Sequence, residues 1–117
     1  VLCVDSASMI TPDDAGSIIV TGSHGGLIGG DPARACKANA GFVAFNDASG
    51  GKNDVGFTRL PALAARGIAA VTLRHDSCKI GDAQSALATG IISRSNTPAQ
   101  DLGFLAGLSL LSSLKTR

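Results

Sequence analysis

Residues 16–30 of this 117-residue chain read GSIIVTGSHGGLIGG, and this stretch decides the fold. Positions 18–21 are four β-branched residues in succession, which favours an extended, buried strand. The run ends at Gly22 and continues as a glycine-rich turn that holds Ser23 and His24. A buried strand that ends in glycines and polar side chains is typical of ligand sites in open α/β sheets, because glycine lets the backbone approach a ligand closely.

Apolar runs alternate with predicted helical segments along the whole chain. Further strands are predicted at 1–4, 42–45, 68–73 and 91–92, and helices at 33–40, 58–66, 83–89 and 97–114. The strands read as continuous apolar runs, which indicates a parallel sheet that is buried on both faces. The sequence therefore predicts one α/β domain over 1–117. We expect three layers, with a mostly parallel sheet of four or five strands and helices on both faces, similar to a small Rossmann-like or flavodoxin-like unit.

The composition excludes several classes of function. The net charge is +1 with scattered basic residues, and only 3% of residues are aromatic, which argues against a nucleic-acid interface. The longest apolar run, at 102–111, is shorter than the roughly 20 residues of a membrane span. Three cysteines without C-x-x-C spacing indicate reduced thiols in a cytoplasmic protein, and no His or Cys pair has the spacing of a metal site.

Every predicted strand is followed by polar residues. In parallel sheets these carboxyl ends share one edge, and ligands bind there, near a switch in strand order. Both histidines of the chain fall at such positions. The alternative interpretation is that loops and helix caps are polar for structural reasons. The polar sets are Asp5-Ser6, Thr21-Ser23-His24, Asn46-Asp47, Arg74-His75-Asp76-Ser77 and Ser93-Arg94-Asn96.

The turn with Gly22, Gly25 and Gly26 is the most suggestive motif. It lacks the Gly-Lys-Ser/Thr ending of a Walker loop and the G-x-G-x-x-G spacing of dinucleotide folds, so no cofactor is expected. Its exposed N–H groups are candidates for holding an anion or an oxyanion. The alternative is a tight structural turn that uses glycine for positive φ.

Four residues are candidates for catalysis. Ser23 and the adjacent His24 point apart in an extended chain, so a base for Ser23 is expected from another strand, such as His75. His24 is expected to work with Asp47, which would fix the tautomer of the imidazole.

Asn46, Arg74 and Arg94 are candidates for ligand binding, because the fork of an arginine suits a carboxylate or a phosphate. The alternative for each arginine is a surface salt bridge. Cys78 is predicted to be a small buried side chain rather than a nucleophile.

Three functions remain open. The first is an enzyme of hydrolase or lyase type that acts on a small anionic or carbonyl-bearing metabolite, with Ser23 or a water as the attacking group. The second is a small-molecule binding module without turnover, and the third is a structural subunit. A homo-oligomer is expected in each case, because Gly103 and Gly107 would lie on one face of the last helix.

Overall fold

The computed structural model describes residues 1–27, 31, 35–50 and 52–115. Its centre is a single sheet of five strands whose spatial order follows the sequence. The first four strands are parallel, and the fifth runs antiparallel to the fourth. The expected α/β fold with a mostly parallel sheet is therefore confirmed. The strands are β1 (Leu2–Val4), β2 (Ile18–His24), β3 (Phe42–Asn46), β4 (Ala69–Leu73) and β5 (Ile92–Ser95).

In the described part of the chain, four short α-helices and three 3-10 helices accompany the strands. The α-helices are α1 (Arg59–Ala64), α2 (Ala83–Thr89), α3 (Thr97–Asp101) and α4 (Leu110–Lys115), and the 3-10 helices are Ala7–Met9, Pro12–Asp14 and Lys52–Phe57. The predicted cap of α2 is present, since the Asp82 carboxylate accepts a hydrogen bond from the backbone N–H of Ser85. Asp5 also caps this helix, because its Oδ1 accepts from the N–H of Ala83 at 3.0 Å. No helix among the described residues is both long and apolar enough to traverse a bilayer.

The direction of β5 corrects the expectation that all five strands end at one edge. The N–H of Asn96, directly after β5, donates to the carbonyl of Ala70, near the start of β4, and the Ala70 N–H donates to Oδ1 of Asn96. The end of β5 therefore lies at the amino edge of the parallel strands, away from His75. In addition, the order of the five described strands contains no reversal, so this sheet lacks the switch in strand order near which ligands usually bind.

The helix predicted at 33–40 is also wrong for the residues that the structure describes there, 35–40, which form bends and irregular chain. Positions 32–34 lie outside the described residues. The backbone carbonyls that would accept hydrogen bonds within a helix accept them from two arginine side chains instead. The Arg59 guanidinium donates to the Ala35 carbonyl at 2.8 Å, and that of Arg66 donates to the carbonyls of Cys36 and Ala38. These tertiary contacts override the helix propensity of an alanine-rich stretch.

The single helix predicted at 97–114 is instead two helices, α3 and α4. Gly103 and Gly107 have φ of 92° and 89°, the left-handed conformation that ends a helix. The chain between α3 and α4 turns back along β5, where the Ile92 N–H donates to the Leu108 carbonyl at 2.9 Å. Gly103 therefore follows the end of α3 and Gly107 lies in the turn before α4, so the two glycines do not form a packing face on one helix.

Side chains of the sheet alternate between two buried apolar clusters. One contains Ile19, Val43 and Phe45 together with Leu60 and Leu63 of α1. The other contains Val20, Ala44 and Val71 together with Ala86 of α2 and Leu110 of α4. The central strands β3 and β4 are buried along their whole length, which fits their unbroken apolar sequence.

Candidate functional site

The glycines after the second strand are required for close packing. A side chain at Gly25 would overlap the carbonyl oxygen of Gly56, and one at Gly22 would overlap the backbone at Gly81 and Asp82. None of Gly22, Gly25 and Gly26 has a positive φ. The positive-φ explanation is therefore wrong for this turn, and the absence of a Cβ is what matters.

The N–H groups of the turn have acceptors within the chain. Gly25 donates to the Asn46 carbonyl at 2.8 Å, and Gly26 donates to Nδ1 of His24 at 3.1 Å. An anion or oxyanion held by these two groups would have to displace both hydrogen bonds. The geometry thus favours the alternative of a tight structural turn.

Ser23 and His24 are the last residues of β2, which is three residues longer than predicted. Ser23 Oγ accepts a hydrogen bond from the N–H of Ala7 at 2.6 Å, so this hydroxyl oxygen holds the start of the 3-10 helix at Ala7–Met9. His24 is exposed, and its Nδ1 accepts from Gly26. Because Nδ1 is an acceptor, the neutral ring carries its proton on Nε2.

Asp47 contacts His75 and not the expected His24. The Asp47 side chain is 8% exposed, and its Oδ1 lies 3.4 Å from Nδ1 of His75, whose side chain is 53% exposed. The same oxygen accepts hydrogen bonds from the backbone N–H groups of Ser49 at 2.9 Å and His75 at 3.0 Å. A buried carboxylate therefore orients a half-exposed imidazole, with the Nε2 atom on the far side of the ring from the carboxylate.

Asn46 supports the same edge of the sheet. It pairs with His24 in the register of β2 and β3, and its Oδ1 accepts from the Ala48 N–H at 2.7 Å. Its Nδ2 lies 3.8 Å from Sγ of Cys78. Burial raises the pKa of the Cys78 thiol, an effect that hydrogen bonds from Ser77 and Asn46 partly oppose. The thiol form of Cys78 is therefore favoured over the thiolate, and the side chain is only partly buried, whereas the sequence predicted a buried one.

The two candidate arginines are engaged in ion pairs. Arg74 holds Asp76 with two hydrogen bonds, of 3.1 and 2.9 Å, and both side chains are more than half exposed. This contact raises the pKa of Arg74 and lowers that of Asp76. Arg94 lies 3.7 Å from the Asp54 carboxylate and stacks on the Phe57 ring. In the contacts that the structure gives, neither guanidinium group is a partner of the His24 or the His75 ring.

A pocket of about 200 Å³ lies beside His24 at the carboxyl edge of β2 and β3. Its polar side chain is the imidazole of His24, and the rest of its wall is apolar or backbone. The lining residues are His24, Gly26, Leu27, Ala48, Gly50, Val55 and Gly56.

The segment after Asp47 forms most of this wall, and sequence reasoning did not assign it a role. Ala48 and Ser49 have φ of 51° and 58°, followed by Gly50 at 83°. Left-handed conformations at non-glycine residues are costly and concentrate at binding sites. The adjacent glycines at 50 and 51 were the one available signal that this loop is unusual.

The site has no feature of a metal centre in the part of the chain that the structure describes, where no three His, Cys, Asp or Glu side chains come together. No protein-family model, curated protein or solved structure matches the chain.

Proposed function

We propose that this chain is an enzyme of hydrolase or lyase type that acts on a small anionic or carbonyl-bearing metabolite at the carboxyl edge of its sheet. The observation that carries the proposal is the contact between the buried Asp47 carboxylate and the half-exposed ring of His75. A carboxylate at Nδ1 directs the ring proton to that nitrogen and leaves Nε2 as the basic atom. His75 is the proton-transferring group in this proposal.

His24 has the complementary role. Its Nδ1 accepts from Gly26, so its Nε2–H is a donor that can hold a carbonyl or carboxylate oxygen. Strands β2 and β4 both flank β3, so the two histidines follow strands that lie on either side of Asn46 and Asp47. One ring therefore donates a hydrogen bond and the other accepts a proton, which is the combination that acid–base chemistry requires.

The attacking group in the hydrolase form of the proposal is a water. Ser23 is the weaker candidate because its oxygen already accepts the Ala7 N–H, at a distance of 2.6 Å. In the lyase form, His75 removes a proton from the metabolite itself. The pocket volume of about 200 Å³ is below the usual range of roughly 300–1,000 Å³ for drug-sized ligands, which supports a small metabolite.

The second candidate function is a binding module without turnover. This function is favoured by the lining residues that the structure describes, among which His24 has a polar side chain and the others contribute apolar or backbone atoms. A module of this kind needs the donor at His24 and has no use for the Asp47–His75 pair. The two functions therefore differ in what they predict for His75.

The test uses p-nitrophenyl acetate as the probe of hydrolysis and acetate as the probe of binding. For the enzyme, His75→Gln reduces the rate of ester hydrolysis by roughly a hundredfold or more. Asp47→Asn reduces it by less, and Asp76→Asn is the control, since Asp76 is paired with the exposed Arg74. Equal rates for wild type and His75→Gln would refute the hydrolase form of the proposal. Acetate binding that is lost in His24→Gln, without ester hydrolysis by the wild type, would establish the binding module.

The remaining parts of the proposal concern layers, assembly and location. The two apolar clusters, each containing helix residues, support helices on both faces of the sheet and hence three layers. Three exposed leucines in one segment support a homo-oligomer; they are Leu102, Leu105 and Leu108. The free thiols of the three cysteines support a cytoplasmic location. Light scattering of the purified protein tests the assembly directly.

A further inference from the structure

One side of the pocket is formed by the loop of residues 48–57, which we call the wall loop. Four of the residues that line the pocket belong to it, namely Ala48, Gly50, Val55 and Gly56. The position of this loop therefore sets the size and shape of the pocket. Residue 51 lies outside the described part of the chain.

The wall loop does not hold its conformation by local preference alone. Ala48, Ser49 and Asp54 have φ between 51° and 58°, which is unfavourable for residues with a Cβ. Such conformations persist where surrounding contacts hold them. At the start of the loop, the side chains of Asn46 and Asp47 accept the N–H groups of Ala48 and Ser49.

The far half of the wall loop is held by Arg94, on the antiparallel strand β5. The guanidinium carbon of Arg94 lies 3.7 Å from the centroid of the Phe57 ring, and its Nη2 lies 3.7 Å from Oδ2 of Asp54. The Phe57 ring in turn covers Gly50, where an added Cβ would meet it at 3.1 Å. A chain of contacts thus runs from Arg94 through Phe57 to the pocket-lining Gly50.

We propose that Arg94 is a positioning residue for the pocket, acting through Phe57 and Asp54 and not by contact with a ligand. This role differs from direct ligand binding, because the face of the guanidinium is taken up by the ring and its edge is turned to a carboxylate. The proposal rests on the proposed function in so far as the pocket is the ligand site. The contact between Arg94 and the wall loop stands independently of it.

The first experiment measures the loop without a ligand, by amide hydrogen exchange. Gly50 donates its N–H to the Asp47 carbonyl, and Gly56 donates to the Gly50 carbonyl at 2.7 Å, so both amides report opening of the loop. Arg94→Ala accelerates their exchange by roughly two- to fivefold, the effect of losing one exposed cation–π contact. Gln100→Ala is the matched control. Gln100 and Arg94 line one surface groove, and the side chain of Gln100 donates only to the Ser95 carbonyl.

A second pair of variants separates the stacking contact from a general loss of stability. Phe57→Leu removes the ring and leaves the contact with Asp54, so adding Arg94→Ala to it accelerates the exchange of Gly50 and Gly56 by less than Arg94→Ala does in the wild type. Additive acceleration in the double variant would overturn the pathway through Phe57. Unchanged exchange in Arg94→Ala alone would overturn the whole proposal.

The last experiment connects the loop to binding, with acetate as the probe and the Gly56 amide shift as the signal. Arg94→Ala weakens acetate binding by a factor similar to its effect on exchange, whereas Gln100→Ala leaves the affinity unchanged. Faster exchange with unchanged acetate affinity would overturn the positioning role. If the wild type does not bind acetate or hydrolyse the ester, the proposed function fails, and the exchange data still decide what Arg94 does.

Discussion

Oδ1 of Asp47 lies 3.4 Å from Nδ1 of His75 and also accepts the backbone N–H of that same histidine at 3.0 Å. One buried oxygen thus holds both the backbone and the ring of His75, which follows the neighbouring strand β4. This double contact connects the end of β3 to the end of β4. It gives the half-exposed imidazole a defined orientation before any ligand is present.

The two histidines are expected to carry their protons on different nitrogens. His24 is protonated on Nε2 because its Nδ1 accepts from Gly26, and His75 is protonated on Nδ1 because that nitrogen faces Asp47. Long-range ¹H–¹⁵N correlation spectra of the neutral rings distinguish the two tautomers. Two rings in the same tautomer would contradict the division of roles between donor and base.

Removing the Asp47 carboxylate is expected to destabilise the fold. Asp47→Ala leaves the N–H groups of Ser49 and His75 without their acceptor, which costs about 1–3 kcal/mol of the free energy of unfolding. Asp47→Asn keeps an oxygen at the Oδ1 position, so its free energy of unfolding is expected to fall by less. Urea denaturation measures both, and Asp76→Asn, in an exposed pair, is expected to change stability by less than about 0.5 kcal/mol. Equal losses in the alanine and asparagine variants would show that the oxygen acceptor is not what matters.

Gly25 is expected to tolerate a methyl group less well than Gly67. Alanine at 25 would overlap the Gly56 carbonyl and push the wall loop outward, for a loss of about 3 kcal/mol. Gly67 has a positive φ of 72° but open space around it, so alanine there costs only about 1–2 kcal/mol of backbone strain. Thermal unfolding ranks the two variants. A ranking in the opposite order would mean that conformation, and not close packing, explains the glycines after β2.

The strands were predictable because their signal is strong and local. Unbroken β-branched and apolar runs at β2, β3 and β4 leave few alternatives to a buried parallel sheet. The cap at Asp82 was predictable for the same reason, since a capping side chain acts within one turn. The direction of β5 was not, because a four-residue strand has the same pattern whichever way it runs.

The site was predictable only in outline. The sequence placed His24, Asn46, Asp47 and His75 at strand ends, but which imidazole meets which carboxylate depends on strand neighbours and on the turn after each strand. The burial of Arg59 could not be anticipated either. This side chain is 2% exposed, donates to the carbonyls of Gly26 and Ala35, and lies over the Phe45 ring. Burial lowers the pKa of Arg59. Because arginine side chains are mostly exposed in folded proteins, the sequence provides no reason to expect a buried one here.

Cys78 is expected to react slowly with iodoacetamide at neutral pH. Its thiol pKa is raised above the ordinary 9.0, mainly by burial, so the reactive thiolate is scarcer than in a free cysteine. The rate of alkylation at Cys78, followed by peptide mass spectrometry, should therefore be below that of the urea-unfolded chain and should rise as the pH passes 9. A rate above that of the unfolded chain at neutral pH would make Cys78 a candidate nucleophile after all.

Asn96 is expected to be the most sensitive polar residue outside the site. Its Oδ1 accepts from the N–H groups of Ala70 and Ala99, and its Nδ2 donates to the carbonyls of Leu60 and Ile68. One side chain thus joins α1, β4 and the start of α3, and Asn96→Ala leaves these buried backbone groups unpaired. We expect a loss of about 3 kcal/mol or more in the free energy of unfolding, measured by urea denaturation.

A serine at 96 separates the two parts of this role. Serine is a good helix cap, so Asn96→Ser retains the bond to Ala99 and loses the bridge from Nδ2 to Leu60 and Ile68. Its stability should lie between those of the wild type and Asn96→Ala. Gln100→Ala, which removes an exposed side chain from the same helix, is expected to cost less than about 0.5 kcal/mol. If Asn96→Ala were equally mild, the end of β5 would not be anchored to the start of β4 by this side chain.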